Sequence, residues 1–141
     1  MADGATTLFP VVAAALIDRG GHVLLQQRPP GKAMEGLWEF PGGKVEPGER
    51  PEQALVRELA EELGVSLEPD ALVPAAFASA PLGERHLLLL LYVARTWSGV
   101  PCALEATALA WVRPAGMRAL AMPPADVPLV DALERLLRDG G

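Results

Sequence analysis

Cysteine, positive charge and long apolar runs are all scarce in this 141-residue chain, and each scarcity excludes something. The single cysteine, Cys102, permits no internal disulfide, which fits a reducing, cytoplasmic setting. No base stands beside it in sequence to activate its thiol, so its expected role is small and structural. Only 12 Lys and Arg residues face 18 Asp and Glu, for a formal net charge of −6. That balance excludes the extended basic face that a nucleic-acid polymer needs. The longest unbroken apolar run, Leu87 to Ala94, is far too short to cross a bilayer. Leu8 to Ile17 is preceded by Asp3 and by no Lys or Arg, so it lacks the positive segment of a secretory signal. It reads as a buried first strand. Repeats, low-complexity tracts and interdomain linkers are absent too.

What is present describes one globular domain over residues 1–141. An apolar fraction of 50% and a charged fraction of 21% are ordinary for a packed core. The 14 prolines and 14 glycines punctuate many short elements. Val11 to Asp18 and His22 to Arg28 read as strands around a turn at Arg19-Gly20-Gly21. Residues 29–37 read as a loop, and Leu37 to Phe40 as a short strand ending at Pro41-Gly42-Gly43. Arg85 to Arg95, with its five leucines, predicts a strand buried on both faces. Thr107 to Val112 predicts another strand, Pro114 to Leu120 a short helix, and Asp126 to Arg138 the last helix, packed internally. Strands on either side of helices indicate a mixed α/β sandwich.

Pro51 to Leu63 is the clearest helix. Pro51 suits its first turn, Glu49 and Glu52 its positive end, and Gly64 the position just past it. Ala54, Leu55, Leu59 and Leu63 make its buried stripe. Glu58, Glu61 and Glu62 stand at i, i+3 and i+4, so three like charges share one face. A bare acidic face of this kind is usually just solvated. Here Arg57 adjoins the cluster, Glu49 lies upstream where a loop can fold it to the same face, and Gly42-Gly43 allow close backbone approach. Clustered carboxylates with a nearby carbonyl form a hard oxygen site suited to Mg²⁺ or Mn²⁺. An acidic protein that binds a phosphate chain needs such a cation between the two.

Gly43, five residues, Glu49, seven residues, then Arg57-Glu58-Leu59-Ala60-Glu61-Glu62-Leu63-Gly64-Val65 resembles the box of the Nudix hydrolases at every specified position. Eight fixed matches arise by chance on the order of 10⁻⁸ per window at ordinary residue frequencies. The resemblance implies an α/β/α sandwich with a mixed sheet and a loop-helix-loop catalytic motif. It implies Glu58, Glu61 and Glu62 as metal ligands, with the Gly42 carbonyl as a further one. Arg57 would orient them and Glu49 would support the motif. The general base varies between family members and stays open, with Glu62 the leading candidate.

The likeness extends to the MutT-like enzymes of the nucleotide pool over nearly the whole chain. Gly36 to Lys44, including Phe40, resembles the segment leading into their box. Arg28, Lys44 and Arg85 match positions near the nucleotide, and Glu105 sits where an additional metal-site glutamate occurs. Met122 to Pro128 resembles the base-reading segment, with Asp126 where MutT has asparagine; the CTP pyrophosphohydrolase branch is similar there. An ionised carboxylate only accepts hydrogen bonds, so it would favour an exposed amino group such as cytosine N4, or the N–H edge of guanine. Asp126 is also a good N-cap for a helix opening at Val127-Pro128. The expected reaction is hydrolysis of a nucleoside triphosphate to a monophosphate and pyrophosphate, on oxidised or modified nucleotides, by a monomer or homodimer. Two other readings are pyrophosphatase action on a nucleoside diphosphate derivative such as ADP-ribose, suggested by Pro81, and a non-catalytic ligand sensor.

Overall fold

The computed structural model describes residues 7–139. The elements run β1 (Thr7–Leu16), β2 (Val23–Gln27), β3 (Trp38–Glu39), β4 (Gly42–Lys44), α1 (Pro51–Leu63), β5 (Val73–Leu82), β6 (Arg85–Ala94), β7 (Ala108–Val112) and α2 (Val127–Arg138). Short 3-10 turns at Pro69–Ala71 and Pro114–Ala119 each begin with proline, whose fixed φ suits a first turn. No helix among the described residues is long and apolar enough to cross a membrane.

The strands form two sheets. One is mixed, in the order β4-β1-β6-β5, with β1 and β6 parallel and the other pairs antiparallel. The second, β3-β2-β7, is antiparallel. Alternate residues of β1 point to opposite faces, as a strand requires. Val12, Ala14 and Leu16 meet Leu55, Leu59 and Leu63 of α1, while Ala13 and Ala15 meet Leu129 and Leu133 of α2. Each fully buried leucine contributes roughly 1.5–3 kcal/mol, so the two helices are held from opposite sides of the same sheet. This is the α/β/α sandwich expected, with a second small sheet beside it.

The sequence reading differs from the structure in four places. The turn at Arg19-Gly20-Gly21 forms, with the Gly21 N–H donating to the Asp18 carbonyl at 3.0 Å. Its strands part after one bridge, Ile17 to Val23, and enter different sheets. Gly42-Gly43 do not end a strand but begin one, β4, pressed against β1. Leu88 and Leu90 are half-buried rather than enclosed, because α1 lies over β1 and β4 and leaves β6 less covered. Finally, β5 had no counterpart in the sequence reading. Its alanines and prolines are poor strand formers, and pairing with β6 overrides them. Pro74 is tolerated because β5 is an edge strand with a register shift at Pro74/Ala76.

Candidate active site

α1 is fixed at both ends before its acidic face matters. At its start the Arg50 N–H donates to Oε1 of Gln53 at 2.9 Å, and Pro51 occupies the first turn. At its end Gly64 adopts φ 73°, the left-handed position that favours glycine, and its N–H donates to the Ala60 carbonyl. The buried stripe then leaves Arg57, Glu58 and Glu62 half-buried beside the glycine strand and Glu61 more exposed.

Arg57 is the hub of the acidic face. Its Nε and Nη2 donate to the two oxygens of Glu49 at 2.8 and 2.9 Å, a bidentate pair. Nη2 also donates to the Lys44 carbonyl at 3.1 Å, and Nη1 reaches Glu58 at 3.2 Å and Glu61 at 3.4 Å. Glu49 takes a further hydrogen bond from the Glu46 N–H, and with Arg57 this holds its carboxyl down at about 2. The same partners raise the Arg57 guanidinium above its ordinary value.

Two carboxylates press on the glycines of β4. A Cβ on Gly43 would stand 2.3 Å from the Glu58 carboxyl carbon, and one on Gly42 would stand 2.0 Å from the Val12 carbonyl oxygen. Glycine is required at Gly42, where the backbone of β1 blocks a side chain, whereas at Gly43 a side chain would displace the Glu58 carboxylate. Glu62 accepts from the Gly42 N–H at 3.0 Å and from Nε2 of Gln26 at 3.1 Å. Burial pushes Glu62 up to about 8, assisted by the charge of Glu58, and burial raises Glu58 as well. Carboxyls held out of water in this way resist ionisation, and a bound cation would offset that cost.

A cavity of about 420 Å³ opens beside this face, lined by Gln26, Arg28, Lys32, Glu39, Glu62 and Glu105 among others. Glu105 reaches it because its segment is tied to the end of α1. The Cys102 N–H donates to the Leu63 carbonyl at 2.9 Å and the Leu104 N–H to the Glu62 carbonyl at 3.1 Å. Cys102 itself is exposed and contributes through its backbone. Arg28 pairs with Glu39 at 2.9 Å, while its Nε donates to the Ala33 carbonyl at 2.7 Å, so it also braces the 29–37 loop.

Asp126 is buried at 7% exposure, and its side chain does not cap α2, contrary to one role its sequence position suggests. The residue is itself helical, at φ −80° and ψ −24°, and its carbonyl rather than its carboxyl serves the first turn. The Phe40 N–H bears on the carboxyl instead, with Glu39 and Arg28 acting on it through charge. Burial, then the Glu39 charge, pushes it up to about 7. A 2.8 Å hydrogen bond from the Trp38 N–H to the Ala121 carbonyl ties β3 to the segment that carries it.

Neither Asp126 nor the other expected substrate residues, Phe40, Lys44 and Arg85, border the cavity. Phe40 is buried in the core beside α2. Lys44 is exposed and meets Arg57 through its carbonyl. Arg85 is exposed, its guanidinium 4.0 Å above the Phe9 ring, a cation–π contact that occupies it at the start of β6. Of the polar residues of the cavity, Gln26, Gln27, Lys32 and Glu39 escaped the sequence reading. The only signal for Gln26 was an amide following Val23-Leu24-Leu25 in a buried strand; Glu39 stood unremarked beside Phe40.

The donor chemistry fits a divalent cation: Glu62 and Glu105 border the cavity, and Glu58, which feels the charges of both Glu61 and Glu105, adds to the hard carboxylate oxygens near it. Among the described residues no three such groups converge on one point. Arg57 engages one oxygen each of Glu58 and Glu61, which leaves the other oxygen of each for a ligand.

A carboxylate helix laid over glycine strands beside a polar cavity defines the class, a hydrolase that handles anionic substrates. The model of the NUDIX domain matches residues 7–133, and the chain belongs to the Nudix family of hydrolases. It is 42% identical over 125 residues to the CTP pyrophosphohydrolase of Escherichia coli (strain K12), covering 89% of this chain and 91% of the relative. It is 34% identical over 126 residues to the 8-oxo-dGTP diphosphatase of the same organism, covering 89% and 96%. The solution structure of the E. coli ORF135 protein superposes with a TM-score of 0.84 at 39% identity, over 94% of this chain and 93% of that one. Nudix hydrolases generally depend on a divalent metal.

Proposed function

We propose that this single Nudix domain is a Mg²⁺-dependent, cytoplasmic nucleoside triphosphate pyrophosphohydrolase that releases a nucleoside monophosphate and pyrophosphate from oxidised or cytidine-type nucleotides. The observation that carries the reading is one cavity bordered both by Glu62 and Glu105 and by Arg28 and Glu39. It offers carboxylates for a cation and an arginine for a phosphate or sugar within one space. The curated names of the relatives, CTP pyrophosphohydrolase and 8-oxo-dGTP diphosphatase, agree with that substrate class.

In this mechanism Glu58, Glu61, Glu62, Glu105 and the Gly42 carbonyl would hold Mg²⁺, or Mn²⁺ in its place, which would supply neutralisation of phosphate oxygens and an activated water when bound. Arg57, held by Glu49, sets the direction of Glu58 and Glu61. Glu62 is the best-placed general base, since it lines the cavity and is the most strongly raised of the three. Arg28 supplies positive charge for the triphosphate at the cavity, Lys44 and Arg85 add to it from outside the wall, Phe40 packs the core beside α2, and Asp126 reads the base. The ADP-ribose reading gains nothing, because Pro81 lies on the edge strand β5 opposite His86 and does not border the cavity. A non-catalytic sensor is disfavoured because every box glutamate is present.

The test is a panel of normal and oxidised triphosphates, with ADP-ribose, assayed with Mg²⁺ for pyrophosphate release. Turnover of a triphosphate with pyrophosphate as product supports the proposal. AMP and ribose phosphate from ADP-ribose as the dominant products, or no turnover of any compound, would sink it.

A further inference from the structure

We propose that Gln26 is a positioning residue whose amide holds one carboxylate oxygen of Glu62 and thereby turns the other towards the cavity. Gln26 lies on β2 directly after Val23, Leu24 and Leu25, and is only 4% exposed. A buried amide is costly unless both its ends are hydrogen-bonded. Here Nε2 donates to Glu62 Oε1 at 3.1 Å, while the amide oxygen is buried without a partner. With its NH₂ given to Glu62, the amide is left with no donor for its own oxygen. As a packing residue Gln26 is therefore a poor choice, and a methionine of similar length would avoid the orphaned acceptor. What the amide does achieve is the hold on Glu62.

That hold is directional. The Gly42 N–H donates to the same Oε1 at 3.0 Å, so two donors from two different sheets converge on one oxygen. Among the described residues no protein group donates to Oε2, and it is not enclosed as the Gln26 oxygen is. It is the oxygen left to face the cavity that Gln26 and Glu62 both border. Gly42 alone would leave the carboxylate free to pivot about a single hydrogen bond; Gln26 removes that freedom. The inference rests on the reading of Glu62 as the carboxylate that acts at the reacting groups, and Gln26 acts only through it.

The experiment compares the full-length protein with Gln26→Met, Glu62→Gln and the double variant, measuring kcat and KM with Mg²⁺ and the thermal midpoint of each. Gln26→Met should lower kcat by about tenfold, the effect of losing one hydrogen bond to a charged group. KM should stay within about twofold and the thermal midpoint should hold or rise. The double variant should be no slower than Glu62→Gln alone, because the two residues act as a unit. A kcat for Gln26→Met close to that of the unaltered protein overturns the proposal while leaving Glu62 untouched. So does a rise in KM alone, which would make Gln26 a substrate contact, or a fall in kcat that tracks a lost thermal midpoint. Near-normal turnover by Glu62→Gln overturns the reading of Glu62 instead, and the role of Gln26 falls with it.

Discussion

The Glu58 carboxylate occupies the space that a side chain on Gly43 would need, with 2.3 Å between the Glu58 carboxyl carbon and a Cβ placed there. The carboxylate can lie against strand β4 in this position only because Gly43 has no side chain. Gly43→Ala should push Glu58 out of place and weaken Mn²⁺ binding, followed by calorimetry, about 10- to 100-fold, with kcat falling by a similar factor. The thermal midpoint should move little, since the displaced group sits at the site and not in the core. Unchanged Mn²⁺ affinity would mean that Glu58 tolerates the shift and is not a ligand.

Arg57 reaches Glu49, Glu58, Glu61 and the Lys44 carbonyl at once, which needs a planar fork of donors. Arg57→Lys keeps the charge but offers a single ammonium, and it should lower kcat about tenfold or more with the fold intact. The Glu49 carboxyl is depressed to about 2, so its pairing is complete above the unfolded value near pH ~4.3 and is lost only as pH falls towards 2. Acid loss of activity between pH 5 and 4 should therefore be the same in Glu49→Gln as in the unaltered protein. A profile that shifts on that substitution would contradict the assignment.

Much of this site is legible in sequence because its spacing is helical. Glu58, Glu61 and Glu62 share a face by periodicity, and Gly64 ends the helix as its conformational freedom predicts. What is hidden depends on pairing between distant elements. Gln26 meets Glu62 across 36 residues, and nothing local to β2 marks that contact. The carboxyl of Asp126 turns away from its own helix to Phe40, an arrangement set by how β3 docks on the segment before α2. Strand β5 was equally hidden, because its alanines and prolines carry no strand signal until β6 is beside them.

Without a cation, burial holds Glu58 and Glu62 at raised values, so ionising them costs the protein alone free energy that a cation would offset. A ligand that binds only the folded state stabilises it by about 2.7 kcal/mol at a concentration 100-fold above Kd. Adding Mg²⁺ should raise the thermal midpoint in calorimetry and chelation should reverse it. Equal concentrations of Na⁺ should not reproduce the rise. A midpoint indifferent to Mg²⁺ would place the cation only in the substrate complex.

Asp126 joins stability to base choice through one proton. Its folded value, about 7, lies above the ordinary carboxyl value of ~3.9, so folding favours the protonated form. Below about pH 4 the group is neutral in both states and has no effect; as pH rises towards 7 the buried carboxylate increasingly opposes folding, and above 7 the penalty is constant. Asp126→Asn removes the charge, so it should stabilise the protein by at most about 4 kcal/mol at pH 8 and by almost nothing near pH 4. Denaturant midpoints at those two pH values check this, and an equal effect at both would show that the carboxyl is not strained by burial. The same variant tests base reading. A neutral carboxyl donates and accepts whereas a carboxylate only accepts, so the ratio of cytidine to guanine triphosphate turnover should change across neutral pH in the unaltered protein. In Asp126→Asn, whose amide cannot titrate there, that ratio should be flat with pH. If it still changes, some other group reads the base, and the buried carboxyl behind Glu39 serves only to join Phe40 to the start of α2.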